Sequence, residues 1–203
     1  GSDIVISIDV NIQAKLEEVL AEGTKKYKAD SSSAMVTDPN TGEILATAST
    51  PLADLSDTSE LTNEALNLRM VSDLYEPGSI FKSVSAMAIL EAGTMTPDTE
   101  LFCPSSIEAD GYVIGDAHER GDATYTLRQI MDQSSNVGIS LATENATVGD
   151  VSGFRNLYNK INEYNLHTKT GVDYPGEGEA GTEYLGNLLP FDDWSKVTAY
   201  NVS

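Results

Sequence analysis

Ser79 and Lys82 stand three residues apart, a spacing that puts both on one face of a helix and within reach of each other. A hydroxyl beside an amine is a nucleophile beside its base, provided that the amine is neutral. Low-polarity surroundings push a lysine toward that form, and a neutral amine can take the hydroxyl proton. A helix N-terminus adds positive potential where an oxygen becomes negative during acyl transfer. Further along, Ser134-Ser135-Asn136 interrupts two apolar segments, and short polar side chains in such a break project into a cleft. A Ser-x-Asn triplet alone more often makes a turn or a cap, as a lone Ser-x-x-Lys more often does nothing, so the weight lies on the pair and its setting.

The element that must position the first pair is Tyr75–Gly93, read as one helix. Pro77 suits a first turn, where a missing N–H costs nothing, and Gly93 suits the left-handed position that ends a helix. Ile80, Phe81, Val84, Met87, Ala88, Ile89 and Leu90 leave almost no polar face, which predicts a helix buried nearly all round. Before it, Asp3–Ile8 reads as a strand, Asp9 as an N-cap, and Ile12, Leu16, Val19 and Leu20 as a helix closed by Gly23. Ser33–Asp38 and Glu43–Ser49 flank a turn and predict a β-hairpin packed on that helix, with mostly loop from Leu52 to Asn67.

Beyond the central helix, Thr94–Asp122 is an extended excursion with a small hairpin through Tyr112–Ile114. Helical spacing returns at Leu127, Ile130 and Met131, breaks at Gln133–Val137, and resumes over Gly138–Thr143. Phe154, Leu157, Tyr158 and Ile161 mark an amphipathic helix. Gly171, Pro175, Gly176, Gly178, Gly181 and Gly186 predict loop, and Trp194 begins a last helix. The fold class is α+β, with strands early and helices late.

The 203 residues suffice for one domain with a core. With 32 acidic against 12 basic residues, the net charge of -20 argues against nucleic acid and anionic membranes as partners. The single cysteine, Cys103, offers neither an internal disulfide nor a metal cluster and reads as a small buried apolar residue. His118 and His167 are far apart in polar stretches, and the acidic residues are too scattered to single out a metal site. No cofactor is implied. No apolar run reaches the roughly 18 residues that span a bilayer. Gly1-Ser2 reads as the remnant of a removed tag.

Glu76-Pro-Gly-Ser-Ile-Phe-Lys82, Gln133-Ser-Ser-Asn-Val-Gly138, Asp38-Pro-Asn-Thr-Gly-Glu-Ile-Leu-Ala46 and Thr170-Gly-Val-Asp-Tyr-Pro-Gly-Glu177 resemble segments of class B penicillin-binding proteins, from about Ile4 to the end of the chain. The resemblance implies the penicillin-binding transpeptidase or serine β-lactamase-like fold and a serine D,D-transpeptidase that cross-links peptidoglycan stem peptides. By it, Ser79 attacks the penultimate D-alanine, Lys82 is the base, Ser134 relays a proton to the leaving amine, and Asn136 binds the substrate amide and the Lys82 amine. β-Lactams would remain on Ser79. It also implies a parent anchored by an N-terminal helix, working on the extracytoplasmic face of the bacterial membrane with cell-wall synthesis proteins such as a glycosyltransferase.

The family's third motif, Lys-Thr-Gly on a strand, is not expected at Lys169-Thr170-Gly171, which runs into a loop sequence. It is expected beyond residue 203, with the later sheet strands and a C-terminal helix. Residues 3–203 are therefore expected to be an incomplete transpeptidase domain, with helix and hairpin over 3–51 and a mostly helical part over 52–203. Alone it is expected to acylate slowly or not at all, since the second oxyanion donor is missing. A serine β-lactamase would share the first motif, but class A needs an added glutamate and class D usually carries an apolar residue at Asn136. A non-catalytic β-lactam-sensing or divisome scaffold would not need all four of Ser79, Lys82, Ser134 and Asn136.

Overall fold

The computed structural model describes residues 3–54, 56, 57, 59, 61–177 and 188–203. Its two compact units are Gly1–Leu74 with Thr170–Glu179, and Tyr75–Lys169 with Ala180–Ser203. Of the glycines expected in loops, Gly178, Gly181 and Gly186 lie outside the described residues.

In the first unit, Asp9 caps α1 (Val10–Tyr27), its carboxylate accepting from the N–H groups of Asn11 and Ile12. The helix runs through Gly23, where a stop was expected, and ends at Lys28 with φ 54°. An interior glycine costs about 1 kcal/mol relative to alanine, too little to end a helix with Lys25 and Lys26 favourably placed in its last turn. Antiparallel β1 (Ser33–Thr37) and β2 (Ile44–Ser49) form the expected hairpin, with Ser33 opposite Ser49 and Thr37 opposite Ile44.

Edge strands need partners for their outward backbone groups. Gln13 of α1 supplies them to β2: its Nε2 donates to Thr47 O, and Thr47 N–H donates to Gln13 Oε1, both at 2.9 Å. Residues 3–8 form no strand ladder. Among the described residues, their hydrogen bonding to β2 is Ser7 Oγ donating to Ile44 O, followed by Asp9 N–H donating to Leu45 O. Two single-turn helices follow, α2 (Asn63–Leu66) and α3 (Arg69–Ser72). Arg69 pairs with Asp73 at 2.8 Å, and its backbone N–H donates to Ser49 Oγ.

In the second unit the rod expected over Tyr75–Gly93 is split. A 3₁₀ turn, Gly78–Phe81, leads into α4 (Lys82–Glu91), and Gly93 takes the left-handed conformation at φ 71°. The all-round burial read from composition does not hold: Ile80 is 73% exposed, and Met87 and Leu90 also reach solvent. Burial concentrates on one face, at Lys82, Ser85, Ala88 and Ile89. Ile89 joins Met95, Cys103, Leu127, Ile130, Ile139, Ala142 and Ala146 in one core. Ala88 packs with Leu157 and Ile161 in a second.

The strands of this unit are β3 (Glu100–Cys103) paired with β6 (Ala123–Thr126), and the hairpin of β4 (Ser106–Ala109) and β5 (Tyr112–Gly115). The hairpin turns through Asp110-Gly111, both at positive φ, the dipeptide that a two-residue turn of this hand favours. The β3–β6 pair was not read from the sequence, because its partners are separated by that hairpin. Next come α5 (Leu127–Asp132), α6 (Asn136–Asn145), α7 (Gly153–Glu163) and α8 (Lys196–Val202). The final helix starts after Trp194, which closes a 3₁₀ turn and stacks with Tyr158 and Phe191. α6 and α7 cross at Gly153, where a Cβ would stand 1.7 Å from Thr143 O.

Candidate active site

Four residues singled out in the sequence meet at one point of the second unit. Lys82 opens α4 and is 7% exposed. Its Nζ donates to Ser79 Oγ at 3.2 Å, Ser134 O at 2.7 Å, Ser134 Oγ at 3.2 Å and Asn136 Oδ1 at 2.6 Å. Ser79 is exposed in the preceding 3₁₀ turn. Ser79, Lys82 and Asn136 line a cleft of about 440 Å³, together with Glu76, Ile114 and Tyr200.

The serine–serine–asparagine bend is built from two helix ends. α5 starts with a capping box between Thr126 and Gln129. It finishes in a Schellman motif: Ser134 N–H donates to Met131 O, and Ser135 N–H to Ile130 O. The left-handed residue of that motif is Ser134, at φ 52°, where glycine is usual. A side chain there costs about 1–2 kcal/mol, and the conformation turns both Ser134 O and Ser134 Oγ toward Lys82. Ser135 then caps α6, its Oγ accepting from Gly138 N–H at 2.8 Å. α6 thus begins at Asn136, two residues earlier than the apolar spacing suggested, because the cap residue and not the first apolar residue sets a helix start.

Asn136 is oriented by β5. Its Nδ2 donates to Gly115 O at 3.0 Å, which leaves Oδ1 facing Lys82. Burial pushes the Lys82 ammonium below the ordinary lysine value of 10.5, against the opposing charge of Asp116. A neutral lysine has two N–H groups and one lone pair. Ser134 O and Asn136 Oδ1 can only accept, so they take the two protons, and the lone pair is left for the hydroxyls of Ser79 and Ser134.

Sequence reasoning missed Asp116. Its carboxylate accepts from Ser135 Oγ at 3.0 and 2.9 Å, from Val137 N–H at 3.0 Å and from Arg120 Nε at 2.5 Å. Burial pushes the Asp116 carboxyl up, but the bonds from Val137, Arg120 and Ser135 outweigh it and hold the group below the usual carboxylate value. In so acidic a chain no local signal separated it from other aspartates. Lys169-Thr170-Gly171 lies in a loop, where Glu177 accepts from Thr170 N–H at 2.6 Å and Gly171 N–H at 3.1 Å. Among the described residues, no group of three or more His, Cys, Asp or Glu is placed to hold a metal ion, and no helix is long and apolar enough to cross a membrane.

The fold is that of the penicillin-binding proteins. The apo crystal structure of penicillin-binding protein 3 from Mycobacterium tuberculosis matches with a TM-score of 0.86 at 33% identity, over 98% of this chain and 42% of that one. The same protein complexed with aztreonam matches with a TM-score of 0.87 over 100% and 43%. The chain belongs to the family of the penicillin binding protein transpeptidase domain, which it matches over residues 32–189. Penicillin-binding protein PbpB of Mycobacterium tuberculosis is 33% identical over the whole chain, and the chain spans 28% of that protein's length. A probable peptidoglycan D,D-transpeptidase, PenA of Neisseria flavescens, is 27% identical, the chain spanning 47% of it.

Proposed function

We propose that the protein carrying this chain is a serine D,D-transpeptidase that cross-links peptidoglycan stem peptides and is acylated by β-lactams at Ser79. The observation that carries the reading is the placement of Lys82 Nζ, 3.2 Å from Ser79 Oγ and held by acceptors that leave its lone pair to a hydroxyl. Lys82 takes the Ser79 proton as Oγ bonds to the carbonyl carbon of the penultimate D-alanine. The Ser79 backbone N–H, in the first turn of its 3₁₀ segment, donates to the oxygen that becomes negative. As the carbon–nitrogen bond breaks, Ser134 Oγ passes a proton to the leaving D-alanine amine and recovers one from Lys82. An acceptor amine then displaces Ser79 and forms the cross-link. Asn136 holds the substrate amide and Lys82 together.

In a β-lactam the ring amide takes the place of the scissile peptide, so the cleaved amine stays attached and Ser79 remains blocked. The setting that fits this chemistry is the outer face of the bacterial membrane, with the protein anchored there and working beside a glycosyltransferase that supplies the glycan strand.

Fluorescent penicillin applied to the whole protein tests the reading. One label per chain is expected, lost on Ser79→Ala, with cross-linking in a depletion strain lost as well. Rescue of that strain by Ser79→Ala would instead make the protein a scaffold.

A further inference from the structure

We propose that Asp116 is a positioning residue for the Ser79 reaction, holding the Ser134–Asn136 bend, and with it the acceptors of Lys82, from behind. The use to which the bend is put rests on the transpeptidase reading; the grip on it does not. The bend has two sides. On the front, Ser134 O, Ser134 Oγ and Asn136 Oδ1 meet Lys82. On the back, the dipeptide Gly115-Asp116 holds three consecutive residues: Asp116 takes Ser135 Oγ and Val137 N–H, and Gly115 O takes Asn136 Nδ2.

Both Ser135 and Val137 are 0% exposed, so their polar groups have no water to turn to. Asp116 is itself anchored. Arg120 donates to it through Nε and, through Nη1, to Cys103 O at the end of β3 and to Gly121 O. The Asp116 side chain is 10% exposed and that of Arg120 16%. A carboxylate paired at that depth interacts more strongly with neighbouring charges than one in water. Among the described residues, the charges of Arg120 on its own loop, Lys82 on α4 and Cys103 on β3 interact with that of Asp116, and its loop also carries His118, Glu119 and Asp122. Burial, the larger effect, favours the neutral Lys82 amine, and the Asp116 carboxylate partly offsets it.

The isosteric variant Asp116→Asn keeps one acceptor and removes the charge, which avoids the unfolding that Asp116→Ala risks. In this chain carrying isotopically labelled lysine, the NMR titration midpoint of Lys82 is expected to move to lower pH in Asp116→Asn. In the whole protein, the limiting rate constant for Ser79 acylation by a penicillin at high pH, where Lys82 is neutral with either residue at 116, is expected to fall about tenfold. The dissociation constant of the preceding complex should stay within about twofold, since the substitution disturbs the reacting groups more than the pocket. An unmoved Lys82 midpoint overturns the proposal, whatever happens to the melting temperature. So does an unchanged acylation rate constant in a protein whose wild type acylates. Should the wild type fail to acylate, the transpeptidase reading falls, and the Lys82 titration still decides the role of Asp116.

Discussion

Lys82 Nζ lies 2.6 Å from Asn136 Oδ1, a residue 54 positions later in the chain. The contact costs Lys82 solvent and leaves it a fixed set of acceptors, and burial lowers its affinity for a proton. In the proposed mechanism the form that accepts the Ser79 proton is the neutral one, populated as pH rises through a value below 10.5. The acylation rate is therefore expected to climb with pH, with its midpoint below that of an ordinary lysine. Lys82→Arg, which stays charged at every accessible pH, should lose that limb and at least about 100-fold in rate. Stopped-flow acylation over a series of pH values from neutral upward would check both.

Asn136→Ala removes one of the two pure acceptors that direct the Lys82 lone pair. The amine then has a proton free to turn toward a hydroxyl, where its lone pair should be. A loss of about 100-fold in acylation rate is expected. The melting temperature should change little, because the Asn136 side chain bonds Gly115 O at an exposed position. Reading rate and melting curve on the same sample separates the two effects.

Ser134 carries a side chain in a conformation that favours glycine. Ser134→Gly should relieve about 1–2 kcal/mol of strain, against about 0.5–1 kcal/mol of added chain freedom in the unfolded state. A net gain of up to about 1.5 kcal/mol is expected, together with slower acylation from loss of the hydroxyl near Lys82. Chemical denaturation and penicillin labelling would show stability and activity moving in opposite directions.

The Asp116 carboxyl is held below its usual value, so the folded state binds this proton less readily than the unfolded chain. The stability it contributes is fully present above the unfolded value of about 3.8 and is lost as pH falls through the lower folded value. Thermal melts from neutral to strongly acidic pH should show the wild type losing stability on the acid side, and Asp116→Asn losing less of it there from a lower neutral plateau.

Gly153→Ala would set a methyl carbon 1.7 Å from Thr143 O, a backbone atom that cannot rotate away. α6 and α7 would have to separate. A cost of about 1–3 kcal/mol or more is expected, read as a lower melting temperature. Serine or valine at the same place should cost more.

The reach of local reading shows best where it failed. The α1 N-cap, the β1–β2 hairpin and α7 followed from caps, turn residues and periodicity, all properties of neighbours in the chain. Gly23 was read as a stop because its type suggests one, yet the stop came at Lys28, where the left-handed conformation is. Residues 3–8 alternate like a strand but, among the described residues, bond β2 through the Ser7 side chain and not through a backbone ladder, and Gln13 satisfies the β2 edge at Thr47. The apolar girth of Tyr75–Gly93 suggests burial all round, yet Ile80 in the 3₁₀ turn and Met87 and Leu90 in α4 are exposed, because a face is buried only where something packs on it.

The sequence by itself determined which groups are available: a serine and a lysine one turn apart, and a serine–serine–asparagine break between two short helices. Those are facts of composition and spacing, and spacing within a helix is geometry. Only the tertiary structure decided that the break closes over Lys82, that Ser134 takes a left-handed turn to do so, and that Asp116 and Gly115 stand behind it. Pairings across long stretches of chain depend on how helices and strands pack, and packing is settled by the whole unit together, not by any residue's neighbours in sequence.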